Sequence, residues 1–252
     1  MGKDAMRVVL ITGATSGIGH TTALVLAQQG WKVVAAGIEP ANAEMTTEMA
    51  AAGDVVFVQT DLAEPAAAPA LVDRALQEFG RLDGLVNCAG IHTLADTPNT
   101  SDEVWDRILN VNLHAAFRLT REAIAAMIRS GGGTVVNVAS EAGIVAVPGQ
   151  VAYNVSKAGL IMLTRSVAVD HAADQIRAVS VCPGTTLTPL VRAAIDSAPD
   201  PAAHERMLAE SRPAQRLGKP EEIAAAIAFV LSDDVAYMTG TELVIDGGYT
   251  AR

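Results

Sequence analysis

Arg7-Val8-Val9-Leu10-Ile11-Thr12-Gly13-Ala14-Thr15-Ser16-Gly17-Ile18-Gly19 is the stretch on which the reading of this chain turns. Arg7–Thr12 is a short, largely β-branched run. It leads into a turn with three glycines, then a helical stretch from Ile18 to Gln29 ended by Gly30. A glycine-rich turn between strand and helix lets backbone approach a pyrophosphate closely, and the helix N-terminus presents unpaired N–H groups to it. The spacing is Gly-x-x-x-Gly-x-Gly, not the Gly-x-Gly-x-x-Gly of the common dinucleotide fingerprint. No Gly-Lys-Ser/Thr ending follows, which disfavours a phosphate loop of the ATPase kind. A turn that merely packs helix on strand would look the same in isolation. Its place after the first strand of an alternating chain favours nucleotide binding.

The alternation runs to the end. Strands are expected at Lys32–Ala36, Val55–Gln59, Leu82–Cys88, Thr134–Ala139, Ile176–Cys182 and Leu243–Ile245. Helices are expected at Ala41–Ala51, Glu64–Phe79, from Ser101 onward, at Leu113–Arg129 and at Val151–Ala173. Ser101 suits a helix cap, with Asp102 and Glu103 behind it at the positive helix end. Strands alternating with helices imply right-handed crossovers. The expected fold is α/β, a single doubly wound parallel sheet (a Rossmann fold) with helices on both faces. No Ser/Gly/Pro linker divides residues 1–252, so one domain is expected. The proline-rich stretch 184–220 reads as an irregular substrate lid within it.

Half of the 252 residues are hydrophobic and 18% are charged, which argues for a buried core and against disorder. Aromatics are 4%, so the core must be aliphatic, as suits parallel strands buried on both faces. A net charge of −10 argues against non-specific binding to nucleic acid or to an anionic membrane. No apolar run approaches the ~20 residues of a membrane span, and the N-terminus is too short and polar for a signal peptide. Cys88 and Cys182 lie in strand-like runs and read as buried free thiols rather than a disulfide, which fits a cytoplasmic location. The five histidines show no metal-ligand spacing, and no metal is expected.

The second chemical signal is Tyr153-Asn154-Val155-Ser156-Lys157. Residues four apart share a helix face. An ammonium near a phenol favours the phenolate and so lowers the tyrosine pKa, and a tyrosine tuned toward neutrality can exchange a proton with an alcohol oxygen. Ser140 ends the fifth strand just before the loop leading to this helix. Ligands of open α/β sheets bind at the carboxyl ends of the strands. The same edge collects Gly13, Asn87, Gly90 and Pro183.

With these pieces in order, the chain resembles a short-chain dehydrogenase/reductase of the common ~250-residue type. The resemblance rests on Thr12-Gly13-x-x-x-Gly17-Ile18-Gly19, Asp61, Asn87-Cys88-Ala89-Gly90, Asn112, Ser140, Tyr153-x-x-x-Lys157, Pro183-Gly184 and Asp246-Gly247-Gly248, and it covers nearly the whole length. It implies Tyr153 as proton donor or acceptor and Lys157 as its tuner and holder of the nicotinamide ribose. It implies Ser140 as orienter of the substrate oxygen and Asn112 as holder of a relay water. Gly13, Ser16, Gly17, Ile18 and Gly19 would line the pyrophosphate, Asp61 and Leu62 would face the adenine, and Asn87, Ala89 and Gly90 would pass under the adenosine ribose. Pro183, Gly184, Thr186 and Thr188 would meet the nicotinamide side. Cys88 replaces the usual second Asn of the fourth-strand motif. Homo-oligomers, tetramers or dimers, are common among such proteins. The resemblance places the two long helices across a two-fold axis; Ala158, Ala168 and Ala172 would allow close approach there or would equally pack on the sheet.

The position that usually carries an Asp for the adenosine ribose matches Gly37, followed by Ile38 and Glu39, and Ser16 stands where a basic residue often sits. A 2′-phosphate would meet no cation and an unfavourable Glu39, so NAD is expected over NADP. His92, Glu141 and Gln150 join Ser140 and Tyr153 as candidate substrate contacts, whereas Arg192 reads as a solvated loop residue. This polar set suits a sugar, polyol or other small hydroxylated substrate. The alternatives are a 3-oxoacyl thioester reductase of the acyl-carrier type, which the chain's acidity weakens, and a non-catalytic dinucleotide sensor, which would tend to have lost the Ser/Tyr/Lys group.

Overall fold

The computed structural model describes residues 6–251. Seven strands, β1 (Val8–Thr12), β2 (Lys32–Gly37), β3 (Val55–Gln59), β4 (Gly84–Asn87), β5 (Gly133–Val138), β6 (Ile176–Pro183) and β7 (Thr241–Ile245), form one sheet in the order 3-2-1-4-5-6-7. Every pairing is parallel, with Ile11 opposite Ala35 on one side and Val86 on the other. Among the described residues nine α-helices connect them: α1 (Gly17–Gln28), α2 (Ala43–Ala52), α3 (Ala67–Phe79), α4 (Asp102–Leu109), α5 (Ala115–Ser130), α6 (Val151–Asp170), α7 (Pro189–Asp196), α8 (Pro201–Glu210) and α9 (Pro220–Leu231).

The period-two alternation of the strands decides which helices lie on which face. Val9, Ile11, Val33, Ala35, Val136 and Val181 point to one side and pack against Ala23 and Leu26 of α1, Met45 and Met49 of α2, and Ile223 and Ile227 of α9. Val8, Leu10, Val34, Leu85, Val135 and Ala178 point to the other and meet Leu71 and Ala75 of α3, Leu119 and Met127 of α5, and Val167 of α6. The chain leaves β1 toward β2 and later resumes at β4 on the opposite side. This reversal opens a crevice at the carboxyl ends of β1 and β4, where such folds bind ligands. No helix among the described residues is long and apolar enough to cross a membrane.

Three expectations need correction. The stretch 184–220 is not irregular: it contains α7 and α8. Pro189, Pro201 and Pro220 stand in the first turns of α7, α8 and α9, where a missing N–H costs little, and Thr188 and Asp200 accept amide hydrogens as N-caps. The fourth strand ends at Asn87 because the amides of Cys88 and Ala89 turn away to donate to Thr12 Oγ1 at 3.1 and 3.2 Å. The helix begun at Ser101, which does cap it, does not stop before the next. Residues Asn110–His114 form a π turn, and α4 continues through it into α5.

Candidate active site

The glycine turn forms the floor of the crevice. Gly13 and Gly17 have φ of +67° and +56°, and a Cβ on Gly19 would fall 2.2 Å from the Gly13 carbonyl oxygen. Ser16 is the N-cap of α1 yet makes no side-chain hydrogen bond to it, so the first amides keep their donors for an external anion. The Ile18 side chain packs partly into the core. The Thr188 methyl lies against Gly17, bringing the segment after β6 over the turn. The cradle therefore fits the pyrophosphate of a dinucleotide.

At the end of β2, Thr15 packs on Gly37 and donates its hydroxyl hydrogen to Glu39 Oε2 at 2.7 Å. A carboxylate, not a cation, is thus held at the end of β2. Asp61 accepts from the Ala63 amide at 2.9 Å, and Leu62 packs partly on the core. Thr186 is buried and donates to the Gly184 carbonyl oxygen at 3.0 Å, and the Gly184 amide donates to Ile245, which fixes the segment after Pro183.

Asn87 departs from its expected place. Its side chain points into the sheet, donating to Thr120 Oγ1 at 3.1 Å and to Asn137 Oδ1 at 2.8 Å. Asn137 continues the chain to Thr164, which also receives the Ser180 hydroxyl, each at 2.8 Å. This buried polar ladder ties β4, β5, β6 and α6 together, leaving the backbone of Cys88, Ala89 and Gly90 as the crevice wall. Gly13 packs directly on Ala89. Thr12, which pins that wall, opens the glycine motif in the sequence, but its hydroxyl's role toward Cys88 and Ala89 shows only in the structure. Both cysteines are free, Cys182 fully buried and Cys88 half-buried rather than buried, and desolvation pushes each thiol up to about 12.

Ser140, Tyr153 and Lys157 converge at the other side of this wall. Ser140 Oγ accepts from the Ala142 amide at 3.1 Å and hydrogen-bonds with Tyr153. Lys157 Nζ sits 5.5 Å from the centroid of the Tyr153 ring, beside Gly90, and donates to the Val138 carbonyl oxygen at 2.9 Å. Asn112, 1% exposed in the π turn, accepts from the Ile91 amide at 2.8 Å and donates to Ile91 O at 2.9 Å and Ser156 Oγ at 3.1 Å. Its carboxamide thereby locks the chain after Gly90 to α6.

The electrostatics differ from the simple expectation of a depressed tyrosine. Desolvation pushes the Tyr153 phenol up to about 12, against the pull of Ser140 and with a further push from Glu141. Desolvation also draws the Lys157 ammonium down to about 8. In the protein alone, burial is the largest cause for both groups.

The candidate substrate residues separate. His92 Nε2 and Gln150 Oε1 lie 2.5 Å apart, and the His92 ring meets Tyr153 edge-on with centroids 5.0 Å apart. Glu141 does not join them: its Oε1 accepts from Arg212 Nη2 at 2.6 Å in a buried ion pair. Arg192 hydrogen-bonds Glu205, bracing α7 on α8.

Comparison with known proteins agrees with this geometry. The family described as enoyl-(acyl carrier protein) reductase matches residues 13–250. An uncharacterized oxidoreductase of Thermotoga maritima is 42% identical over 247 residues, covering 97% of this chain and 98% of its own. A cyclohexanol dehydrogenase of an Acinetobacter species is 38% identical over 249 residues, covering 98% and 96%. The crystal structure of a short-chain type dehydrogenase/reductase from Mycobacterium marinum superposes with a TM-score of 0.90 at 32% identity, covering 98% of this chain and 96% of that one. The chain belongs to the short-chain dehydrogenase/reductase family. It is an oxidoreductase that works with a nicotinamide dinucleotide on hydroxyl-bearing carbon.

Proposed function

We propose that the chain transfers a hydride between NAD and a small hydroxylated substrate, with compact cyclic secondary alcohols fitting best and polyols or sugars next. The observation that carries this reading is the convergence of Ser140, Tyr153 and Lys157 beside the wall of the glycine crevice. When bound, the nicotinamide accepts or gives the hydride. Ser140 and Tyr153 hold the substrate oxygen between two hydroxyls. Tyr153 takes the alcohol proton in oxidation and returns it in reduction. Lys157 stabilises the phenolate by its charge and has donors left for a ribose. Asn112 holds the chain after Gly90 in register with α6.

Glu39, held by Thr15, supports NAD over NADP, since a dianionic 2′-phosphate would face a carboxylate. With Glu141 engaged by Arg212 and His92 paired with Gln150, the mouth is less polar than the sequence suggests. Leu94 and Ile144 stay exposed on the loops that follow His92 and Ser140. This supports a ring with an apolar edge over a free sugar, in keeping with the cyclohexanol dehydrogenase relative. The family description favours an acyl thioester as second reading. A net charge of −10 works against docking of an acidic carrier.

The free thiols and the acidic chain support a cytoplasmic location. The exposed stripe Val155, Met162 and Val169, seven residues apart on α6, supports a homo-oligomer. Ala168 is not part of that surface: it is buried and packs against Gly240.

The test is absorbance at 340 nm with NAD and NADP in parallel across cyclohexanol, cyclopentanol, polyols and aldoses, with 3-oxoacyl thioesters in reverse. Turnover of a cyclic alcohol with NAD is expected. Turnover confined to acyl thioesters would replace the reading.

A further inference from the structure

Arg212 is 3% exposed and Glu141 6%, and the chemistry above uses neither. Nη2 of Arg212 donates to Glu141 Oε1 at 2.6 Å and also to Thr185 Oγ1. Nη1 donates to the Leu208 carbonyl oxygen at 2.6 Å and to Ser211 Oγ at 2.7 Å. The guanidinium lies over the Tyr249 ring, 5.1 Å from its centroid. These partners come from distant segments: Glu141 follows Ser140 beyond β5, Thr185 follows β6, Tyr249 follows β7, and Leu208 belongs to α8. Backbone bonds tie the same segments, from Gly184 N to Ile245 O and from Ala214 N to Gly247 O, both 2.9 Å.

A buried ion pair is a poor device for stability, since apolar residues of the same volume often serve as well. A guanidinium, however, is a rigid planar fork of donors that fixes directions. Here one fork joins the carboxyl ends of three neighbouring strands, and the residue it grips stands next to Ser140.

We propose that Arg212 is a positioning residue: by gripping Glu141 and Thr185 it sets the loop carrying Ser140 against the segment after β6, and so keeps the serine hydroxyl in reach of Tyr153. The inference rests on the roles given to Ser140 and Tyr153 above. Changes in Arg212 then act more on the chemical step than on cofactor affinity.

The test combines amide hydrogen exchange with steady-state kinetics on cyclohexanol and NAD, for Arg212→Lys and for the neutral pair Glu141→Gln/Arg212→Met. Lysine keeps the charge and loses the fork. In Arg212→Lys, exchange is expected to rise about fivefold both at 139–145 and at 184–188. In the same variant kcat falls about tenfold while KM for NAD holds within about twofold. The neutral double variant, which buries no charge, should recover the parent Tm but not its kcat. Faster exchange confined to 208–216, or kcat returning together with Tm in the double variant, would overturn the proposal. Silence of the parent on cyclohexanol overturns the substrate reading instead, and the exchange arm then decides on Arg212 by itself.

Discussion

Lys157 and Arg212 are both buried beside the catalytic loops, and the protein satisfies them in opposite ways. Arg212 is surrounded: a carboxylate, two hydroxyls, a carbonyl oxygen and an aromatic face. Lys157 is given one backbone carbonyl oxygen, that of Val138, and desolvation brings its ammonium down to about 8. A guanidinium does not titrate in proteins, so Arg212, with both terminal nitrogens engaged and only Nε left without a partner, can only hold. A poorly compensated ammonium is held near its titration point with donors to spare, which is costly for the fold and useful for chemistry. The contrast separates a residue that fixes geometry from one that takes part in reaction.

The largest effect that would bear on it is at Tyr153, the group that both residues are proposed to serve. Tyr153→Phe is expected to lower kcat by about 10²–10⁴-fold with cofactor affinity retained, measured by steady-state turnover and cofactor titration. Next is the pair of truncations. Lys157→Met should lose about 100-fold in kcat while its urea midpoint holds or rises, because a desolvated charge is gone. Arg212→Met should lower stability by about 3–5 kcal/mol, because Glu141 is left buried and unpaired. Equal destabilisation of the two variants would break the contrast.

The pH profile sharpens it further. With Tyr153 up at about 12 and Lys157 down at about 8, the phenolate fraction grows with pH while the charged ammonium disappears above 8. The kcat/KM for alcohol oxidation should therefore climb about tenfold per pH unit below 8 and flatten above it, as the two fractions offset one another. A steady climb past pH 9 would show that the Lys157 charge plays no part. A smaller effect is expected at the far end of the crevice. Glu39→Arg should raise kcat/KM with NADP by about tenfold, by replacing a repelling carboxylate with a phosphate partner. The smallest effect on turnover is expected from Val169→Lys, which should leave kcat nearly unchanged while shifting the mass seen by light scattering toward the 26.1 kDa monomer.

The same distinction explains what could be read in the sequence. The glycine turn, Ser140 and the Tyr153/Lys157 spacing are legible because each is local and the parallel sheet brings their strand ends to one edge. Helices α7 and α8 were hidden by their own prolines, which look like breakers until they are seen in the first helical turn. Asn87 was assigned to the crevice because a motif gives the position of a residue and not the direction of its side chain. The raised phenol of Tyr153 comes from desolvation, which no spacing encodes. Glu141 was placed in the pocket for the same reason that Arg212 was overlooked: the two stand 71 residues apart in sequence, and neither is remarkable without the other.

The π turn at Asn110–His114 has its own consequence. The Ala115 amide bonds back to the Asn110 carbonyl oxygen, five residues earlier, so one residue more than an α-helix requires is taken up there. The helix before the turn and the helix after it are therefore out of phase. Ile108 can face inward on one side and Leu119 and Ala123 on the other, while Asn112 occupies the slip between them and reaches Ile91 and Ser156. Removing a single residue would restore an unbroken helix and rotate either Asn112 or the whole sheet-facing stripe of α5 out of place. Chain length at this point is then as constrained as residue identity, and a one-residue deletion there should be far less tolerated than substitution of the exposed residues around it.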